Sequence, residues 1–188
     1  MAGSFRLCGT VFVAMDDDGV FALEARCSSA SGSLSWEEGY FSCRYEGDSL
    51  GRMRQLAVPG AAVLVSGRLS VDRGKVILVV TGMGFLASGE VPSGKDEVNS
   101  VMAAGFVTRS ADEGSLGLSV PAAVSGGDLS LDVFFPGMSR AEALLASKYA
   151  VRGHFVRVSG RLGFLGGGRR DVVIVAGSVD YCPPDART

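Results

Sequence analysis

Gly60-Ala-Ala-Val63-Leu-Val65-Ser66-Gly67-Arg68-Leu69 returns later in the chain as Gly153-His-Phe-Val156-Arg-Val158-Ser159-Gly160-Arg161-Leu162. The pattern Gly-x-x-Val-x-Val-Ser-Gly-Arg-Leu is thus written twice, 93 residues apart. That period is too long for a stacked solenoid and points to two similar small domains. Other landmarks keep the same order. Gly9-Thr10-Val11 answers Gly105-Phe106-Val107, and Phe21-Ala-Leu23-Glu-Ala25 answers Leu116-Gly-Leu118-Ser-Val120. Val76-Ile-Leu-Val-Val80-Thr-Gly82 answers Val172-Val-Ile-Val175-Ala-Gly177, with two residues gained in the second hairpin tip, where loops tolerate insertion. The expected organisation is a domain over 1–87, a polar Gly/Pro-rich linker over 88–98 and a second domain over 99–188.

Periodicity around the decapeptide fills in the elements. Strands are expected near 4–14 and 20–28, joined by Asp16-Asp17-Asp18-Gly19, because Asp-Gly between apolar runs signals a hairpin. A third strand carries Tyr40, Ser42 and Arg44 on one face and Phe41, Cys43 and Tyr45 on the other. Leu50, Met53, Leu56 and Ala57 recur at helical spacing, with Asp48 as expected N-cap and Pro59-Gly60 as the stop. Strands near 61–71 and 75–86 follow, joined by Asp72-Arg73-Gly74. The second half repeats this with strands near 101–109, 115–121, 129–135, 154–164 and 171–181, and a helix near 138–148 capped by Ser139. Five short antiparallel strands with a helix between the third and fourth describe an OB-fold. The predicted class is all-β with one short helix per domain: two tandem Greek-key barrels. Gly67 and Gly160 then mark the strand bend by which a small barrel turns its corner.

Composition narrows the function classes. Among 188 residues, 47% are hydrophobic and 27 are glycine, which suits a globular β protein rich in turns. Basic residues number 18 against 20 acidic. Residues 1–95 hold 9 against 10, so neither half is globally basic, and nucleic-acid binding requires arginines segregated on one face. Cys8, Cys27, Cys43 and Cys182 have no C-x-x-C spacing and share the chain with one histidine, His154, which excludes a recognisable zinc site and predicts reduced thiols of an intracellular protein. No segment has the apolar length to cross a bilayer, so a soluble protein without a membrane partner is expected. No catalytic constellation, metal motif or phosphate-cradling loop is present, and neither a cofactor nor an enzymatic role is predicted.

The helix followed by Pro-Gly-x-x-Val-x-Val-Ser-Gly-Arg-Leu resembles the bacterial-type single-stranded-DNA-binding protein family, whose OB domain carries a Gly-x-x-Val-x-Val-x-Gly-x-Leu segment at that place. Gly9-Thr10-Val11 resembles the family's opening strand, and Tyr40-Phe-Ser-Cys-Arg-Tyr-Glu-Gly47 stands at its aromatic third strand. The resemblance spans nearly all of both halves and is similar to the tandem form with two OB domains in one chain. It implies a homodimer with four barrels, single-stranded DNA as partner, contacts with replication or repair proteins, and a cytoplasmic, nucleoid-associated location. Two departures stand out. The family's acidic tail has no counterpart in Tyr181-Cys-Pro-Pro-Asp-Ala-Arg-Thr, and Leu129-Ser-Leu-Asp-Val-Phe-Phe-Pro puts a serine and an acid where aromatics are expected.

Sequence-independent binding of a single strand needs aromatic faces for stacking and cations along the backbone. The candidates in the first half are Trp36 and Tyr40 on strand three, Arg44 on the same face as Tyr40, and Arg68, Arg73 and Lys75 flanking the hairpin between strands four and five. In the second half they are Arg109 at the end of the first strand, Arg157 and Arg161 projecting outward from the fourth, and Phe164, Arg169 and Arg170 at a Gly-rich hairpin tip. The competing interpretation is that Trp36 packs under a loop and the arginines are merely solvated. Three functions follow: a non-enzymatic, sequence-independent single-stranded-DNA-binding protein of replication, recombination or repair; an OB-fold assembly module with little nucleic-acid affinity; or an RNA-binding OB protein, since stacking alone does not separate RNA from DNA.

Overall fold

The computed structural model describes residues 3–29, 36–87, 98–112, 114–121, 127–136, 139–165 and 171–182. The side chains of residues 28, 29, 36, 37 and 112 lie outside that description. The first half forms β1 (Ser4–Val13), β2 (Val20–Ser29), β3 (Trp36–Tyr45), α1 (Leu50–Leu56), β4 (Ala62–Asp72) and β5 (Lys75–Phe85). The second forms β6 (Asn99–Asp112), β7 (Ser115–Val120), β8 (Leu129–Phe134), α2 (Arg140–Tyr149), β9 (Phe155–Phe164) and β10 (Val172–Cys182). β1 pairs with β2 and β4, β2 with β3, β4 with β5, and β3 with β5 in parallel, which closes a five-stranded ring. β6 to β10 close a second ring by the same pairings, with β8 and β10 parallel. The architecture is two tandem OB barrels.

Period-2 alternation fills each barrel. Leu7, Val11, Leu23, Phe41, Val63, Val65 and Leu78 are buried in the first, and Val107, Leu116, Leu118, Leu131, Val156, Val158 and Ile174 in the second. The decapeptide glycines sit where the wall folds. Opposite Gly67, the β4–β5 register slips between Ser66 and Gly67, and opposite Gly160 the β9–β10 register slips between Ala176 and Ser178. A Cβ on Gly67 would lie 1.9 Å from the Val79 carbonyl oxygen, and one on Gly160 would lie 2.2 Å from that of Val175. Glycine is needed there because the neighbouring backbone occupies the space of a side chain. Gly60 and Gly153, with φ of 89° and 88°, make the turn from helix to strand, each donating its N–H to β1 or to β6.

The helices differ in their starts. Ser139 and Glu142 form the capping box in full, Ser139 N–H donating to Glu142 Oε2 at 2.7 Å and Glu142 N–H to Ser139 Oγ at 3.3 Å. Hydrogen bonding from Ser139, its side chain first and its backbone N–H second, holds the Glu142 carboxyl below its ordinary pKa. α1 begins at Leu50, so its N-cap is Ser49 and not Asp48. Ser49 has φ −110° and ψ 34°, outside the extended region a capping side chain needs, and its hydroxyl makes no cap bond. Leu56, expected on the packed face, is 42% exposed because the helix ends there and Ala57 takes the buried place.

The barrels share a wall. β1 pairs antiparallel with β6 from Ser4↔Met102 to Leu7↔Asn99, and β2 pairs in parallel with β9 at Ser28↔Gly163 and Ser29↔Phe164. The β6–β9 ladder ends at Val101↔Gly160, so the next position on that side of Leu162 falls to Asn99. There the Asn99 side chain replaces a strand. Its Nδ2 donates to the Leu162 carbonyl at 3.0 Å and to the Arg26 carbonyl at 3.2 Å, and its Oδ1 accepts from Leu162 N–H at 2.8 Å. One buried amide therefore ties β6 to β2 and β9, while its backbone pairs with β1. Most of the sequence-predicted linker, residues 88–97, lies outside the described residues.

Candidate nucleic-acid interface

The outward parity of β1, β2 and β3 brings an aromatic pair to the surface. On β1, Phe5, Leu7, Gly9 and Val11 point inward, which leaves Phe12 outward and 54% exposed. β1 pairs Thr10 with Glu24, and β2 pairs Glu24 with Tyr40, so Phe12 and Tyr40 meet over β2. Their ring centroids are 4.6 Å apart with planes inclined by 53°. Phe12 was not among the residues singled out from sequence. The signal was present: an aromatic at the outward parity of a strand whose inward set is apolar.

Beside this pair lies an open cleft of about 750 Å³. Phe12, Tyr40, Ser42 and Lys75 line it from the first barrel, and Ser130, Asp132 and Asp171 from the second. The β4–β5 turn forms its rim, with Arg73 at φ 50° and Gly74 at φ 76° presenting Arg73 and Lys75 to solvent. Among the described residues no carboxylate pairs with either cation. This is the border an OB-fold offers to a ligand strand.

Three other predicted cations are held by acids. Arg44 Nη2 lies 3.3 Å from Asp72 Oδ2, Arg68 Nη2 2.7 Å from Glu46 Oε2, and Arg109 Nη2 2.9 Å from Asp132 Oδ1. All six side chains are partly exposed, and such pairs contribute roughly 0–1 kcal/mol. Arg109 also donates to Ser115 Oγ at 3.1 Å. Arg157 and Arg161 project outward from β9 as their parity requires and are not among the cleft-lining residues; Arg157 stands across from Asp180 of β10.

The remaining candidates divide. Trp36 opens β3 with its backbone paired to Ser28, and its side chain lies outside the described residues. Arg169 and Arg170 lie outside them too. Phe164, expected at an open hairpin tip, packs between the barrels with its ring 4.7 Å from that of Phe41. It fills the space over Gly39, where a Cβ would meet Phe164 Cε2 at 2.1 Å. His154 Nδ1 lies 3.0 Å from the Tyr149 carbonyl, a packing role. All four cysteines are free, and among the described residues no three metal-ligating side chains converge and no helix is long and apolar enough to cross a membrane.

This architecture has solved counterparts. The chain shares its fold with the single-stranded DNA binding protein from Thermus aquaticus. Against the wild-type crystal structure the TM-score is 0.63 at 21% identity, covering 97% of this chain and 95% of that one. A deletion mutant of the same protein gives 0.63 at 20% identity, with 97% of each chain covered. No protein-family model matches the chain, and no curated protein matches its sequence.

The two barrels differ in the side chains they carry at matching positions. Tyr40 pairs with Glu24 beside Leu23, and Ser130 pairs with Ser119 beside Leu118, so Ser130 occupies in the second barrel the place of Tyr40 in the first. By the same register Asp132 replaces Ser42, and by the Gly9/Gly105 alignment Thr108 replaces Phe12. The second barrel offers hydroxyls where the first offers rings, and an acid where the first offers a hydroxyl.

Proposed function

We propose that this chain is a non-enzymatic single-stranded-DNA-binding protein that acts without strong sequence preference in replication, recombination or repair. The observation that carries the reading is the pair of exposed Phe12 and half-buried Tyr40 beside the Arg73–Lys75 turn on an open cleft. Flat rings next to unpaired cations suit a strand whose bases stack while its phosphates follow the positive rim, each stacked base contributing roughly 1–3 kcal/mol. Arg44 extends the rim once phosphate replaces Asp72, since such a partly exposed pair contributes roughly 0–1 kcal/mol. The shared fold supports the reading as analogy.

Residues 1–87 and 99–188 act in this proposal as two barrels of one binding unit, paired with a second chain in a homodimer. Supporting the dimer, β5 beyond Val80 and β10 beyond Val175 pair on one side only among the described residues, leaving strand edges for another copy. A second reading, an assembly module of low nucleic-acid affinity, draws support from the ion pairs that occupy Arg44, Arg68 and Arg109. Phe12→Ala and Tyr40→Ala decide between them. Each is expected to weaken binding of an oligo-dT about 5- to 100-fold with little change in melting temperature. Unchanged affinity in both variants would refute the site.

A further inference from the structure

Resting on the proposed function, we propose that the cleft between the barrels reads base edges and favours bases with exocyclic amino groups, cytosine foremost, over thymine. The two walls differ in chemistry. The first barrel supplies rings and cations through Phe12, Tyr40 and Lys75, and the second supplies Ser130, Asp132 and Asp171. The substitution of Ser130 for Tyr40 and of Asp132 for Ser42 at matching register positions makes one wall stack and the other accept hydrogen bonds.

Charge fixes the orientation of a strand in this cleft. Carboxylates repel phosphates, so the backbone runs along the Arg73 and Lys75 rim and the base edges turn toward β8 and the start of β10. An ionised carboxylate only accepts. Cytosine presents its N4 amino donor to it, whereas thymine presents carbonyl oxygens on both sides of its single N–H. Arg109 holds Asp132 through Oδ1 and orients the carboxylate, leaving Oδ2 without a partner among the described residues. Asp171 is exposed at the mouth of the β9–β10 hairpin and lines the same space.

The test is competition anisotropy with oligo-dC and oligo-dT of equal length at pH 8, for the wild type and for Asp171→Ala and Asp132→Ala. The wild type is expected to prefer dC about fivefold or more, the lower end of discrimination by one well-placed base contact. The preference should shrink toward unity in Asp171→Ala, and further when both changes are combined in a chain whose thermal melt confirms folding. Equal or tighter binding of dT by the wild type overturns the inference and leaves the proposed function standing. So does a dC preference that survives the folded Asp171→Ala variant. Failure to retain either oligonucleotide at low salt overturns the proposed function itself, and the inference with it.

Discussion

Replacing Asn99 by leucine tests whether the barrels are fastened by a side chain acting as a strand. Asn99 is 7% exposed and is the sole buried polar side chain among the described residues. Leucine keeps the branched shape of the side chain, with bulkier methyl groups, but removes three hydrogen bonds, of 2.8, 3.0 and 3.2 Å. Two of them satisfy the N–H and C=O of Leu162, a residue with no exposed surface. Orphaning a buried backbone group costs about 1–3 kcal/mol, so the pair costs about 2–6 kcal/mol. The added apolar burial of leucine returns roughly 1–2 kcal/mol. The net loss is about 1–4 kcal/mol, a sizeable part of the 5–15 kcal/mol typical of a folded chain. Urea unfolding followed by circular dichroism measures it, with a melting temperature expected to fall roughly 2–16 °C for a chain of this size. Asn99→Asp should be no better, because it sets a carboxylate against two carbonyl oxygens. A loss below about 0.5 kcal/mol for Asn99→Leu would refute the reasoning and show that water or backbone relaxation satisfies Leu162.

Gly67→Ala is expected to destabilise the first barrel by about 2 kcal/mol or more, since its Cβ would meet backbone and not a movable side chain; a wild-type melting curve would contradict the bend assigned to it. Val65→Asp, which places a carboxylate at a fully buried core position, should abolish the cooperative melt of that barrel. Burial pushes the Cys43 thiol far above the ordinary cysteine pKa, with a backbone hydrogen bond at Leu23 pulling weakly the other way. The folded protein therefore keeps a proton that the unfolded chain loses above about pH 8.5, so this group's stabilising contribution is complete below that pH and declines above it. A thiol reagent at pH 8 should leave Cys43 unmodified until urea unfolds the chain, and rapid labelling of Cys43 itself in the native protein, located by peptide mapping, would count against its burial.

The duplicated decapeptide made the fold legible because its glycines and valines report geometry that no other residues satisfy. Gly67 and Gly160 mark the register slips, and Val63, Val65, Val156 and Val158 the inward parity of β4 and β9. Parity also put Tyr40 outward and Phe41 inward as expected, and it was sufficient to find Phe12 had the first strand been read the same way. The start of α1 was misread because Asp48 and Ser49 are both good caps and only the backbone turn chooses between them. What sequence pattern cannot carry is contact between distant segments. The carboxylates on Arg44, Arg68 and Arg109 come from 22 to 28 residues away. Phe164 reads as a loop residue until β9 is laid beside β2, and Asn99, at the start of the second domain and ahead of its first expected strand, shows no role until Leu162 lies opposite it. Asn99 in particular left no periodic signal, because its amide acts where a ladder ends.

The measurement that bears most directly on the account is fluorescence anisotropy of a labelled oligo-dT of about 35 nucleotides, long enough to span several OB sites. It should be titrated at low and moderate salt beside matched duplex and RNA. The account predicts tight binding to the single DNA strand, weakening steeply as salt rises because phosphate contacts release counterions, and far weaker retention of the duplex. No retention at low salt, or binding indifferent to salt and equal for duplex and single strand, would contradict it.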